Sequence, residues 1–322
     1  MGKVFRVGII GLGVIGRRML DNMPAQGRLV VAAGWDSDKT VCEMAQKEYP
    51  WLSLAASAEA MISDPAIDLI YIGVPPRAHG LYARAAIKAG KAVFCEKPLG
   101  VDLADSAALV AFAAEHSARQ AINLSLAAAR GVQHMRKAIA NNDMGRISGA
   151  EIRLHFSQWP RGWQANATWL ARREEGGFVR EVATHFLYLA ETLLGSGRLV
   201  SSGVRYPDEA GAAEILALAE LECEGVPVTL AGTVGGAGPD LIEFTVWGDK
   251  ISFRLTDFYR LWSTQGGEWQ QVFPAIENLA RDAYMLQLDE LVLMLEGKSH
   301  VLPGFQAAFD VQAHVEAILA ER

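Results

Sequence analysis

The first third of the chain alternates short apolar runs with segments of helical periodicity. VFRVGII precedes VIGRRMLDNM, LVVAAGW precedes KTVCEMAQKEY, DLIYIGV precedes AHGLYARAAIKAG, and KAVFC precedes DLADSAALVAFAAEH, before a last apolar run, QAINL. Unbroken apolar runs of this length suit strands buried on both faces, and helices between them act as crossovers in a parallel sheet. The pattern predicts a doubly wound α/β domain over residues 1–122. After a helical stretch from Gly131 to Asn142 the period changes. EIRLHF, EILALAELEC, VPVTLAGTV, LIEFTVWG and ISFRL read as strands separated by Gly, Pro and Asp, with one helix around Phe178–Leu194. Two amphipathic helices, near Asn278–Glu296 and Gly304–Glu321, end the pattern. Residues 123–322 are therefore expected to form an α+β domain built on a large, mainly antiparallel open sheet.

Composition changes this picture little. A chain of 322 residues exceeds what one core usually serves, which fits two domains, and 51% apolar content excludes a disordered chain. The formal charge of −7, with no Lys/Arg cluster, argues against a nucleic-acid partner. Cys42, Cys95 and Cys223 lie far apart without ligand spacing, so they read as reduced thiols of a cytoplasmic protein, and no metal site is expected. The apolar start after Lys3 and Arg6 is glycine-rich and runs into Arg17-Arg18 without a small-residue cleavage site, which argues against a signal peptide. No apolar stretch is long enough to span a bilayer, so no membrane association is expected.

GLGVIG, residues Gly11, Leu12, Gly13, Val14, Ile15 and Gly16, directly follows the first strand and opens the first helix. In that setting the glycines allow a tight turn, a close backbone approach to a pyrophosphate and close helix–strand packing, and the helix N-terminus attracts the phosphates. Asp36 ends the second strand at the spacing where a carboxylate accepts from adenosine ribose hydroxyls, with Ser37 and Asp38 after it. No arginine follows to hold a 2′-phosphate, so NAD is favoured; Lys39 leaves NADP open. The first domain thus reads as a dinucleotide-binding Rossmann domain.

Chemistry is expected elsewhere too. Glu96-Lys97-Pro98 closes the KAVFC strand, and ligands of open α/β sheets bind outside the carboxyl ends of strands. Pro75 and His79 end the third strand and are expected to flank the cofactor. Glu181 and His185 are four apart in a helical pattern, which would put them on one face within mutual reach. The tract WPRGWQANATWLARRE carries Trp163 among other aromatics and arginines, a composition suited to a sugar face or to ordinary packing.

These features together resemble the glucose-fructose oxidoreductase, inositol dehydrogenase and MocA family, from GLGVIG and Asp36 through VPPRAH, EKP and the Gly176-Gly177 pair to His185. The resemblance implies a small-molecule substrate. It implies hydride transfer between NAD(P) and a hydroxyl or keto group of a sugar, polyol or related cyclic alcohol. It also implies a homodimer or homotetramer formed through the C-terminal sheet. Lys97, Glu181 and His185 would be catalytic, with His185 the general base, Lys97 favouring the developing alkoxide and Glu181 orienting the histidine or a substrate hydroxyl. Lys97, Trp163, Arg180 and His185 would line the substrate; the cofactor would meet the glycine loop, Asp36, Ser37, Pro75, His79, Glu96 and Lys97. The chain departs from the family in having Glu181 where Asp is usual, Tyr188 where a second Asp is usual, and Leu126-Ala127 where charged residues are common. Two alternatives stay open: glycoside hydrolysis through transient oxidation, and a cofactor-binding regulator without turnover.

Overall fold

The computed structural model describes residues 2–320. In the first unit the apolar runs become β1 (Phe5–Ile10), β2 (Leu29–Trp35), β3 (Leu69–Ile72), β4 (Ala92–Glu96) and β5 (Gln120–Asn123), all parallel, in the order β2-β1-β3-β4-β5. Helices α1 (Val14–Gln26), α2 (Lys39–Glu48), α3 (Ala58–Ser63), α4 (His79–Lys88) and α5 (Leu103–Glu115) connect them. Every residue of β3 and β4 is buried, as expected when both faces are covered. The order reverses at β1, which has β2 on one side and β3 on the other, so the strand-end crevice lies outside β1 and β3.

The second unit opens with α6 (Arg130–Ala140) and is built on an eight-stranded sheet. Its strands are β6 (Ile147–Phe156), β7 (Gly197–Arg205), β8 (Leu216–Cys223), β9 (Val226–Val234), β10 (Leu241–Gly248), β11 (Ser252–Thr256), β12 (Arg260–Thr264) and β13 (Gln270–Gln271). The order is β13-β12-β11-β10-β6-β9-β8-β7, antiparallel throughout except for the parallel pair β6–β9. Burial alternates along β8 and β9, so one face carries a core and the other does not. Helix α7 (Thr184–Leu194), set between β6 and β7 in the chain, packs on the core face, where Phe186 stacks on Phe244 of β10 at 6.4 Å. Strands β7, β12 and β13 lack a prominent apolar run, which is why the pattern of the chain does not show them.

The chain ends with α8 (Leu279–Leu295) and α9 (Phe305–Leu319). The sequence pattern assigned everything after residue 122 to the second domain, yet the segment Tyr284–Phe309 belongs to the first compact unit. The reason is burial: Tyr284, Leu288, Leu291, Val292, Met294 and Leu295 of α8 enter one core with Phe5, Val7, Leu69 and Phe94. The second unit comprises Ser125–Ala283 and the chain from Asp310. Among the described residues no helix is long and apolar enough to cross a membrane.

Candidate active site

The glycine loop shows three different reasons for having no side chain. At Gly11, φ is +97° and a Cβ would lie 2.3 Å from the Gly73 carbonyl oxygen. At Gly16 a Cβ would lie 1.9 Å from the carbonyl oxygen of Gly11, so the helix can sit this close to the strand only without one. At Gly13 a Cβ would meet nothing within 4 Å and φ is −67°, so the protein itself imposes no need for glycine there. Gly13 is exposed and caps α1 with no side-chain hydrogen bond, leaving the first N–H groups of the helix for a ligand. Leu12 is fully buried and anchors the turn, whereas Val14 is 47% exposed at its mouth.

Asp36 lies beside this turn. Its Oδ2 accepts from the Leu12 N–H at 2.8 Å and its Oδ1 from the Asp38 N–H at 3.0 Å, which holds the half-buried carboxylate over the loop. Each oxygen keeps acceptor capacity for a hydroxyl. Ser37 is exposed next to it, while Asp38 caps α2 by accepting from the Thr40 N–H at 2.8 Å. The Asp36 acceptors and the open cradle at Gly13, with its helix N–H donors, fit a pyrophosphate-linked dinucleotide.

Glu96 and Lys97 stand at the end of β4. Glu96 is 9% exposed, and its Oε1 accepts from the Tyr71 hydroxyl at 2.5 Å and from Asn123 Nδ2. Asn123 Oδ1 in turn accepts from Gln287 Nε2 at 2.8 Å. Burial and the neighbouring Glu96 carboxylate push the Tyr71 hydroxyl well above its ordinary pKa, so it stays a donor. The network fixes the strand end from which half-buried Lys97 departs. Sequence reading missed Tyr71, Asn123 and Gln287; a tyrosine in a fully buried strand was the one available signal.

His79, expected beside the cofactor, is buried between two loops. It has no exposed surface, and its Nδ1 and Nε2 face the carbonyl oxygens of Pro98 at 2.7 Å and Val74 at 2.8 Å. Burial lowers its pKa, with nearby Lys97 acting in the same direction. Its ring braces two loops, those following β3 and β4. Pro75 is exposed in the first of them.

In the second unit, Glu181 and His185 lie on one continuous helical segment that changes type between them. Residues Val179–Ala183 form a π-helical turn and α7 begins at Thr184, so Glu181 lies in the turn and His185 in the first turn of the helix; such turns often occur at functional sites. Glu181 Oε1 accepts from Gln164 Nε2 at 2.9 Å and lies 4.0 Å from the Arg161 guanidinium. Arg161 itself donates to Gln164 Oε1 at 2.9 Å and lies over the rings of Trp163, Phe156 and Trp159, with centroids 4.8, 5.5 and 5.7 Å away. Trp163 is 50% exposed, whereas Gln164 is buried. His185 is 7% exposed and meets Phe258 edge-on at 5.4 Å. Arg161 belongs to the arginines of the tract noted in the sequence, whereas Gln164 was not singled out from it.

Arg180, expected at the substrate, is held largely by its own unit. Its guanidinium is 9% exposed and donates to Glu316 at 2.6 and 2.7 Å, and to the carbonyl oxygens of Arg173 at 2.7 Å and Gly176 at 3.0 Å. Through those hydrogen bonds Arg180 clamps the start of the π turn from inside the unit. Tyr188, Leu126 and Ala127, three of the positions that depart from the family pattern, are all buried, which explains why they are apolar or aromatic. Among the described residues no cluster of three or more His, Cys, Asp or Glu could hold a metal.

Comparison with known proteins agrees with this architecture. A family model described as "Oxidoreductase family, NAD-binding Rossmann fold" matches residues 5–124, and one described as "Oxidoreductase family, C-terminal alpha/beta domain" matches residues 136–321. A 1,5-anhydro-D-fructose reductase from Ensifer adhaerens is 31% identical over 183 residues, 56% of this chain and 54% of the relative. A 1-carboxy-3-chloro-3,4-dihydroxycyclohexa-1,5-diene dehydrogenase from Comamonas testosteroni is 27% identical over 197 residues, 61% of this chain and 48% of the relative. The chain thus spans about half the length of the curated relatives it matches. Among solved structures, levoglucosan dehydrogenase in complex with NADH and L-sorbose superposes with a TM-score of 0.86 at 18% identity, covering 98% of this chain and 96% of that one. With both family models matched and an NAD-binding Rossmann domain at its start, the chain belongs to the glucose-fructose oxidoreductase, inositol dehydrogenase and MocA family of oxidoreductases.

Proposed function

We propose that the protein is an NAD-dependent dehydrogenase or reductase that moves a hydride between the nicotinamide and a hydroxyl or keto group of a sugar, polyol or related cyclic alcohol. Gly13 carries this reading: it is a glycine without a partner to avoid, at the open N-terminus of α1, where a phosphate group needs a close backbone approach. The bound nicotinamide supplies the hydride acceptor or donor. Asp36 accepts from ribose hydroxyls, and the negative charge of Asp36 and Asp38 disfavours a 2′-phosphate, so NAD is preferred to NADP.

His185 is the general base that takes the hydroxyl proton, and the Lys97 ammonium stabilises the oxygen's developing negative charge. Glu181, steadied by Gln164, has acceptor capacity left for a substrate hydroxyl, and the exposed Trp163 face suits the C–H surface of a sugar ring. The uncovered face of the eight-stranded sheet, with Leu218 at 49% exposure, joins copies of the chain. Light scattering of Leu218→Glu tests that part, and an unchanged mass would refute it.

The test of the activity is NADH formation or consumption across sugars, inositols, sugar acids and dihydrodiols in both directions. Cofactor binding with no turnover on any of them would favour a regulator. An advantage of roughly tenfold in kcat/KM for NADP would overturn the cofactor preference.

A further inference from the structure

Glu214 is 1% exposed just before β8, in a segment otherwise apolar. Its Oε1 accepts from the Val179 N–H at 2.8 Å, at the first residue of the π turn that leads into α7. The backbone N–H groups of Phe178 and of Glu214 itself favour the carboxylate more weakly, and Oε2 has no hydrogen bond at ordinary distance. Phe178, the residue in the capping position, offers no side-chain hydrogen bond. The chain wraps this carboxylate closely: a Cβ on Gly177 would lie 2.1 Å from Oε2 and 2.5 Å from Oε1, and φ there is +96°. The Gly176-Gly177 pair is thus shaped in part around an acid 37 residues further along at position 214.

We propose that Glu214 is a positioning residue: its buried carboxylate caps the start of the segment carrying Glu181 and His185 from another part of the chain, and thereby sets where those two side chains point. A glutamine keeps one acceptor for the Val179 N–H but turns the second oxygen into a donor beside backbone N–H groups, so it loses the anion without losing the fold. A cap chosen for stability alone would not be an anion with almost no water. Burial raises the Glu214 pKa to about 7, against the opposing pull of the N–H groups and of Arg180, which is itself paired with Glu316 on α9. Since the folded pKa lies above the ordinary carboxylate value, holding the charge costs stability as pH rises from the usual carboxylate range through about 7. The fold tolerates that cost where the proposed base is mounted. The proposal rests on the assignment of His185 as that base.

The full chain and its Glu214→Gln and Glu214→Ala variants decide the matter. Glu214→Gln is expected to melt no lower than wild type at pH 8, since the buried charge is gone. Amide exchange over residues 178–186 should nevertheless be about tenfold faster, with the rest of the chain unchanged. The His185 ring resonance should move, and kcat should fall about tenfold with the dissociation constant for NAD unaltered. An unmoved His185 resonance with unchanged exchange in both variants overturns the proposal. So does a loss of protection spread over the whole chain in proportion to a lower melting temperature, which marks a purely structural cap. If wild type turns over no substrate, the oxidoreductase reading fails, while exchange and the ring resonance still decide the role of Glu214.

Discussion

The two sheets bury their residues differently. β3 and β4 are buried at every position, whereas β8 and β9 alternate buried and less buried positions. A sheet covered on both faces has no free surface for chemistry except at its strand ends, which is where the glycine loop, Asp36 and Lys97 emerge. A sheet covered on one face can carry a helix there, and the second unit presents Glu181 and His185 from the turn and helix packed on its core side. The first unit places its candidate residues through backbone, the second through side-chain packing.

The largest effects should come from removing one group of each kind. Lys97→Ala and His185→Ala are each expected to lower kcat by about 10²-fold or more while circular dichroism and melting temperature hold. A variant that keeps more than a tenth of wild-type kcat loses its assigned role.

Next in size is the contrast between the sheets. Phe94→Ala, in a strand buried on both faces, should cost about 3–5 kcal/mol in denaturant unfolding. Thr229→Ala, on the uncovered side of β9, should change stability by no more than about 0.5 kcal/mol. Equal losses would mean that the second sheet is covered on both faces in the assembled protein.

The glycine loop separates packing from binding within one turn. Gly16→Ala should destabilise the first unit by about 3 kcal/mol, because its Cβ would press on the Gly11 carbonyl. Gly13→Ala should leave stability unchanged and weaken NAD binding by about tenfold in a fluorescence titration. Destabilisation by Gly13→Ala would mean that this glycine serves the fold.

The smallest effect concerns pH. His314 Nε2 lies 2.8 Å from Glu191 Oε1, and that hydrogen bond raises the histidine pKa against the opposing effect of burial. A base whose pKa is raised on folding contributes its stability fully below the ordinary histidine value, and loses it as pH rises through the raised value. His314→Gln should therefore cost about 1 kcal/mol in mildly acid solution and less at alkaline pH. A cost that grows with pH would refute the assignment.

The legible parts of the sequence were those whose physics is local. Continuous apolar runs marked the parallel strands, strand-like segments set off by Gly, Pro and Asp marked β8 and β9, and glycine spacing marked the turn between β1 and α1. GRLVSSGVR hid β7 because its serines and glycines give no strand pattern, and it pairs only because β8 lies beside it. The helical periodicity around Phe178–Leu194 did not show that Val179–Ala183 is π-helical, a choice made by the packing around it.

By itself, then, the sequence determined the order of elements, the sheet types and the cofactor loop, since these follow from periodicity, glycine geometry and charge at close chain distance. Tertiary structure alone decided which polar groups face one another. It turned His79 and Arg180 inward as braces, gave Glu181 to Gln164, brought α8 into the first core and set Glu214 against Val179. Each of these pairings joins residues whose meeting depends on how buried groups find their donors and acceptors, and no local pattern along the chain records that.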